Sequence, residues 1–536
     1  NNTGGNVAFL NITYTFGLEI EAGSVAAEEV PGLRGFYSLT GAAGSWQLVP
    51  AFTTATPGVV ATSLELGSWA NGANLYILWA DDDATAHTTA PNQEGAWTID
   101  NFQAVPSAGR EALLTGFTST PIGFVATITD GAAPLTVNLS TMNVTLNGAP
   151  ITPQVSKAGE TITVSFTGNT LPANSTNDLV FSFSDNNTPA KAYTINRQWI
   201  VGPYQVLPAS FAVTGVDTSK PGFKARVHQL PVARGPGDVN SIENAEKQLA
   251  NAFSDPATGE PYPNEADLSL AVNGIFEIPT VINWNENAPA PAGNFHDTST
   301  PPVVDDPIPG IPGPNFLLHH VAAEIITFLE LKKGVYTMGV NSDDGFKVTA
   351  GGNPRDALSL VLGSFSGGRA AADTLFDIVV EADGIYPFRL AWWEGTGDAS
   401  VEWFTVDESG QKVLINDRSI ATAVKAYSEG PAASLFVRSI SPFPGVTNAT
   451  GDSAINIVLA DGATQVQPNT VQLFVNNQPV NPTVTKPAGS TDTTINYDLP
   501  GIPAQESIWN VRLVFGDSAG VLRTNEYTFQ IKPLVL

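Results

Sequence analysis

A block of residues near position 130 returns near position 461, and this internal repeat constrains the fold more than any other feature. Asp130-Gly131-Ala132 is followed by Asn147, Pro150, Pro153, Val155, Lys157 and Gly159, and Asp461-Gly462-Ala463 by Asn476, Pro479, Pro482, Val484, Lys486 and Gly489. The match runs on through Pro172-Ala173 with Pro503-Ala504, Phe183 and Asp185 with Phe515 and Asp517, and Tyr193-Thr194-Ile195 with Tyr527-Thr528-Phe529. So long a shared order means one folding unit used twice. Within each copy, alternating runs such as Thr161-Ile162-Thr163-Val164-Ser165-Phe166 lie between Asn, Gly and Pro turns. A period of two puts every second side chain on one face, so each unit is predicted to be a two-sheet sandwich of about 90–100 residues.

The two copies resemble immunoglobulin-like sandwiches of the bacterial cell-surface type, modules that serve as spacers or docking surfaces. The chain has 536 residues and no cysteine. That length exceeds one hydrophobic core, and the absence of thiols excludes disulfides, thiolate metal sites and cysteine nucleophiles. With 51 acidic residues against 24 basic ones, the formal charge is −27. Such a surface repels phosphate backbones and anionic headgroups, so neither nucleic acid nor a membrane surface is an expected partner. The acidity suits hard cations such as calcium, or simply keeps an exposed protein in solution. No apolar run reaches the roughly 18 residues of a membrane span. The chain starts at Asn1 without an apolar leader, so a signal peptide is expected to have been removed. Gly 49, Pro 40 and 14% charged residues fit a turn-rich, extracellular β chain.

Between the copies, Gly334-Val335-Tyr336 leads into Asn341-Ser342-Asp343-Asp344-Gly345, and Gly384-Ile385-Tyr386-Pro387-Phe388 leads into Trp392-Trp393-Glu394-Gly395-Thr396-Gly397 and Trp403-Phe404. This order resembles the PA14 family of secreted modules, in which a strand enters an Asp-Asp-Gly turn and a later Gly-x-Tyr-Pro strand ends in an aromatic pair and a Glu-Gly-x-Gly turn. In its sugar-binding members an Asp-Asp pair joined by a cis peptide holds calcium, which binds vicinal hydroxyls of a glycan. The resemblance therefore implies calcium at Asp343 and Asp344, with Asn353, Asp356, Asp398 and Asn416 as candidates for a second ligand loop. In other members the same turn is structural, and that reading stands beside the first.

Residues 1–106 form a different unit. Asn6 to Phe16 alternates, and Leu75 to Asp83 precedes Trp97 to Phe102; the ending resembles jelly-roll modules, though it is short by several strands. The expected architecture is all-β, a multidomain string of β-sandwiches. It runs jelly-roll-like (1–106), immunoglobulin-like (107–206), PA14-like with an insertion (207–430) and immunoglobulin-like again (431–536). One short helix is predicted from Ser241 to Phe253, with Ile242, Ala245, Leu249 and Phe253 on one face and Asn240 with Glu243 as its capping pair. The Pro- and Gly-rich stretch from Ala288 to Pro314 is predicted to be coil. Asp81, Asp82, Asp83, Glu94 and Asp100 cluster at two strand ends, where Asp81, Asp83 and Asp100 either hold a structural calcium or form a solvated loop.

Other constellations carry less. Alternation puts Trp392 and Trp393 on opposite faces, so two of Trp392, Trp393 and Trp403 are expected in the core rather than in a sugar-stacking platform. His87, His228, His296, His319 and His320 lack metal spacing, and no nucleophile elbow or P-loop is present. Glu394 and Glu402 are a glycosidase-like pair only by chance proximity. The order of modules is similar to large surface proteins of environmental bacteria. The leading expectation is a non-catalytic extracellular or cell-surface protein that self-associates into a layer or filament. Strand complementation would join Asn6 to Phe16 of one copy to the Tyr527 to Ile531 edge of another. The alternatives are a calcium-dependent carbohydrate-binding adhesin using Asp343 and Asp344, and the non-catalytic portion of a larger secreted polysaccharide-degrading enzyme. The Asn11, Asn138 and Asn143 sequons leave glycosylation open.

Overall fold

A computed structural model describes residues 1–20, 34–53, 57–80, 96–107, 109–231, 240–288, 291–296, 299, 302–407, 410–450, 454–499 and 506–532. The protein is all-β, with 53% strand and 3% helix. It divides into two compact units, Asn1–Pro203 and Tyr204–Leu536.

In the first unit, Leu10, Ile12, Tyr14 and Phe16 all turn inward from one strand, as their alternation requires, and are buried with Phe52. Tyr14 meets the rings of Phe52 and Trp79 edge-on. Their strand, Val7–Ile20, lies in the middle of its sheet, paired with Gly58–Trp69 on one side and Ala96–Ser107 on the other. This corrects the expectation that Asn6 to Phe16 is offered to another molecule. Both of its ladders are already used.

The repeated sequence builds the same strand order twice. In the first copy, Ala149–Ile151, Val137–Leu146, Thr176–Asp185 and Ala192–Ile200 make one sheet, and Leu113–Thr120, Gly123–Thr129, Thr161–Thr167 and Gln154–Ala158 the other. In the second, Gln478–Val480, Val466–Val475, Ile508–Asp517 and Leu522–Gln530 face Phe436–Ser441, Ile455–Ala460, Asp492–Tyr497 and Thr483–Thr485. The repeated polar residues have matching tasks. Lys157 pairs with Asp130 as Lys486 does with Asp461. Asn147 and Asn476 take the left-handed conformation at φ 52° and 49°. Their Oδ1 atoms accept from the backbone N–H of Asp178 (2.8 Å) and Asn510 (2.9 Å). Asp185 and Asp517 close their hairpins by accepting from the N–H groups of Lys191 (2.8 Å) and Val521 (2.9 Å).

The Tyr527 to Ile531 edge is not open either. Gly445 N–H donates to Thr528 O at 2.7 Å, Gln530 N–H to Val446 O at 2.8 Å and Ala449 N–H to Gln530 O at 3.1 Å. A loop of the same chain thus covers the expected acceptor, as folded proteins commonly cover sheet edges.

The central sandwich holds the largest core. Its first sheet runs Tyr204–Leu207, Ala372–Val380, Gly334–Asp343, Ser400–Val406, Asn283–Asn285, with Lys412–Leu414 also on Ser400–Val406. Its second runs Phe276–Ile278, Phe223–Gln229, Val321–Leu331, Gly384–Glu394, Gly345–Ala350, Leu360–Phe365, with Lys425–Tyr427 also on Val321–Leu331. Both sheets feed one cluster that includes Trp284, Phe346, Phe388, Trp392 and Trp403. The helix is Ile242–Leu249, shorter than expected, because Ala250 leaves helical geometry and Asn251 turns to φ 54°. Its cap is Ser241, whose Oγ accepts from Asn244 N–H at 3.2 Å, rather than the Asn240 and Glu243 pair. Ala245 and Leu249 pack on Ala322, Ala391 and Trp393. From the same helix Glu246 reaches Lys347 and both terminal nitrogens of Arg389 (2.7 and 2.8 Å), fixing the helix on the sheet.

Candidate metal and ligand site

Asp343 is the last residue of one strand in the first sheet, and Gly345 opens the next strand in the second sheet. The chain therefore changes sheets at Asp344. The Asp343–Asp344 peptide is cis, the geometry implied by the resemblance. Gly345 is required because a Cβ there would overlap the Trp393 ring. The turn is held from several sides: Trp392 Nε1 donates to Asp343 O at 3.0 Å, and Ser342 Oγ to Asp344 O at 2.9 Å. The Asp344 carboxylate accepts from the N–H groups of Arg369 (2.8 Å) and Gly395 (2.9 Å).

Strand pairing sets Gly345 opposite Trp393, which brings Glu394 beside the turn. Carboxylate oxygens of Asp343, Asp344 and Glu394 lie within 4.8 Å of one another, the one such group of potential metal ligands among the described residues. Glu394 is 1% exposed, and neither of its oxygens meets a hydrogen-bond donor. Burial, then the charge of Asp344, a hydrogen bond from the protonated carboxyl to Asp344, and the charges of Asp343 and Glu286 push its pKa up to about 10. Burial with Asp344 and Asp398 raises Asp343 to about 6, and burial with Asp398 and Asp343 raises Glu286 to about 7. The nearby cation is Arg369. It spends its donors on Ser342 O (3.0 Å), Ser342 Oγ (2.7 Å) and Thr374 Oγ1 (2.8 Å), with its guanidinium 4.2 Å from the Phe365 ring centre.

These residues fit calcium. Oxygens about 2.4 Å from one ion are separated by at most about 4.8 Å, and a hard divalent cation takes carboxylates in preference to any other side chain. A buried carboxylate without a donor is costly as a charge and is relieved either by taking up a proton or by holding an ion.

Of the candidates for a second loop, Asp398 lies near the turn, where its charge raises both Asp343 and Glu286, though it is not one of the three clustered carboxylates. The others do not. Asn353 donates to Ser434 O (2.8 Å), Asp356 accepts from Val437 N–H (3.0 Å), and Asn416 donates to the carbonyls of Pro279 (3.1 Å) and Thr280 (2.6 Å). Each braces a turn against a neighbouring segment. Asp81, Asp82, Asp83 and Glu94 lie outside the described residues, and Asp100 is exposed. Trp392, Trp393 and Trp403 are all buried, one more than alternation suggested, so none offers a stacking face. Glu402 is tied up elsewhere, accepting from the N–H groups of Asn294 (2.7 Å) and Phe295 (2.9 Å).

No family model matches the chain, and no curated protein matches it. Several solved structures are similar to part of it. One is the crystal structure of the PA14 domain of the MpAFP antifreeze protein, 11% identical with a TM-score of 0.23, covering 39% of this chain and 91% of that one. A PA14 sugar-binding domain from an RTX adhesin is 12% identical with a TM-score of 0.24, covering 39% and 99%. The Epithelial Adhesin 6 A domain from Candida glabrata, in complex with Galb1-3GlcNAc, is 13% identical with a TM-score of 0.24, covering 42% and 97%.

Proposed function

We propose that this protein is an extracellular, surface-associated adhesin that binds carbohydrate through calcium held by Asp343, Asp344 and Glu394. The observation that carries the reading is Glu394, a carboxylate buried against two others with no donor for either oxygen. Calcium there would neutralise the cluster and offer open coordination positions to a pair of sugar hydroxyls. Asp343 and Glu394 supply charge, Asp344 is aimed by Arg369 and Gly395 N–H, and Asp398 with Glu286 extends the acidic rim. In this reading residues 207–430 form the binding module, and 1–106, 107–206 and 431–536 are sandwiches that present it.

Assembly into a layer or filament by strand complementation has less support, because the donor strand and acceptor edge are both paired within the chain. Among the described residues no helix is long and apolar enough to cross a membrane.

A glycan array probed with the full chain tests the function. Binding to at least one glycan in calcium, abolished by chelator and by Glu394→Gln, is the expected result. If no glycan loses its binding both in chelator and in Glu394→Gln, this site leaves the account, and an array with no calcium-dependent binding removes the function.

A further inference from the structure

The chain's acidic excess is locally reversed at a cavity among the described residues. This cavity, of about 540 Å³, opens between the central sandwich and the C-terminal one. Its charged lining is Lys224, Arg226, Arg355 and Arg523 against Glu324 and Glu429. Four of only 24 basic residues meet there, which makes the cavity positive in a protein of net charge −27.

The surplus can be traced. Glu324 is 2% exposed, accepts from Arg389 Nε at 2.8 Å and Arg355 Nε at 3.0 Å, and forms an ion pair with an Arg226 terminal nitrogen at 3.2 Å. Together they hold its carboxyl down at about 2, although burial alone would raise it. Arg389 also pairs with Glu246, which takes Lys347 as well. Four cations therefore share two carboxylates, leaving two positive charges unmatched. Arg389 and Lys347 are buried against Glu246 of the helix, whereas the side chains of Arg226 and Arg355 are 44% and 41% exposed and face the cavity. Lys224 is neutralised by Glu429 at 2.6 Å, and Arg523 reaches Asp517 only at 3.7 Å. The remaining wall is largely apolar, with Ile326, Phe328 and Pro387, and adds the polar side chains of Asn353, Ser428 and Ser434.

We propose that this cavity is a second binding site, for a sugar unit bearing a carboxylate or a sulfate. The oxyanion sits between Arg226 and Arg355, and an apolar face of the ring lies on Ile326 and Phe328. Planar guanidinium forks match the two oxygens of such groups, and the volume is that of a small-ligand pocket. The anion follows from the cavity alone; the sugar rests on the carbohydrate reading above. The site is independent of calcium, because its ligands share no residue with Asp343, Asp344 or Glu394.

Isothermal titration of the full chain in chelator, at low salt, tests it with D-glucuronate, galactose 6-sulfate, glucose and inorganic sulfate. Both acidic sugars should bind while glucose does not. Arg226→Gln and Arg226→Lys, each folded with an unchanged circular dichroism spectrum, should weaken them about tenfold or more, and Glu394→Gln should not. Failure of every anion to bind, or wild-type affinity in the folded Arg226 variants, overturns the site. Inorganic sulfate binding as tightly as the sulfated sugar overturns the sugar assignment. Acidic sugars that bind here while the glycan array shows no calcium-dependent binding would sink the proposed function alone.

Discussion

Replacing Glu394 by Gln keeps the shape of the side chain and removes its ability to ionise. In the calcium-free protein the folded state holds a proton on Glu394, since its pKa stands near 10, whereas the unfolded chain releases it near 4.5. Stability from this group is therefore complete below pH 4.5 and falls as the pH climbs toward 10, by about 1.4 kcal/mol per unit. At pH 7 the loss has reached about 3 kcal/mol, and Glu394→Gln should recover up to that amount. In chelator the variant should melt about 5–10 °C above wild type at pH 7 and level with it at pH 4. Calcium at a hundred times its dissociation constant stabilises the wild type by about 2.7 kcal/mol, and the variant should lose most of that gain. Differential scanning calorimetry in chelator and in calcium reads both effects. A variant less stable than wild type in chelator at pH 7, or equally raised by calcium, refutes the reasoning.

Arg389→Met removes the cation shared by buried Glu324 and half-buried Glu246, each of which keeps another cation, and should cost about 1–3 kcal/mol in urea unfolding. Lys247→Ala, which breaks only the exposed pair with Glu243, should cost about 0.5 kcal/mol or less. Asn147→Ala and Asn476→Ala should each cost about 1–2 kcal/mol by removing a left-handed turn residue and its cap, and a marked difference between them would deny that the repeats share one turn. Burial, opposed by the N–H groups of Phe295 and Asn294, raises Glu402 to about 7. Its stabilising contribution is full below pH 4.5 and declines as pH rises through 7, so Glu402→Gln should gain on wild type between those values in a pH series of melting curves.

The repeat was readable because the residues that recur, Asn147 with Asn476 and Asp185 with Asp517, make turns whose backbone geometry allows few substitutes. The Asp343-Asp344-Gly345 turn was readable for the same reason. The sequence does not display Glu394 as a cluster member, because its place beside Asp344 is set by register between strands far apart in the chain, Gly345 opposite Trp393. The available hint was its position directly after the aromatic pair. Asn353 and Asp356 are near the turn in sequence, but their loop braces the C-terminal sandwich. Alternation in Asn6 to Phe16 identified a strand correctly, but it carries no information about how many neighbours a strand has.

The most direct measurement is a crystal structure of the full chain grown in calcium, with anomalous scattering used to place the ion. The account predicts one calcium about 2.4 Å from carboxylate oxygens of Asp343, Asp344 and Glu394, with open positions filled by water or sugar. A cluster closed by a proton shared between Glu394 and Asp344, with no ion at saturating calcium, would contradict it.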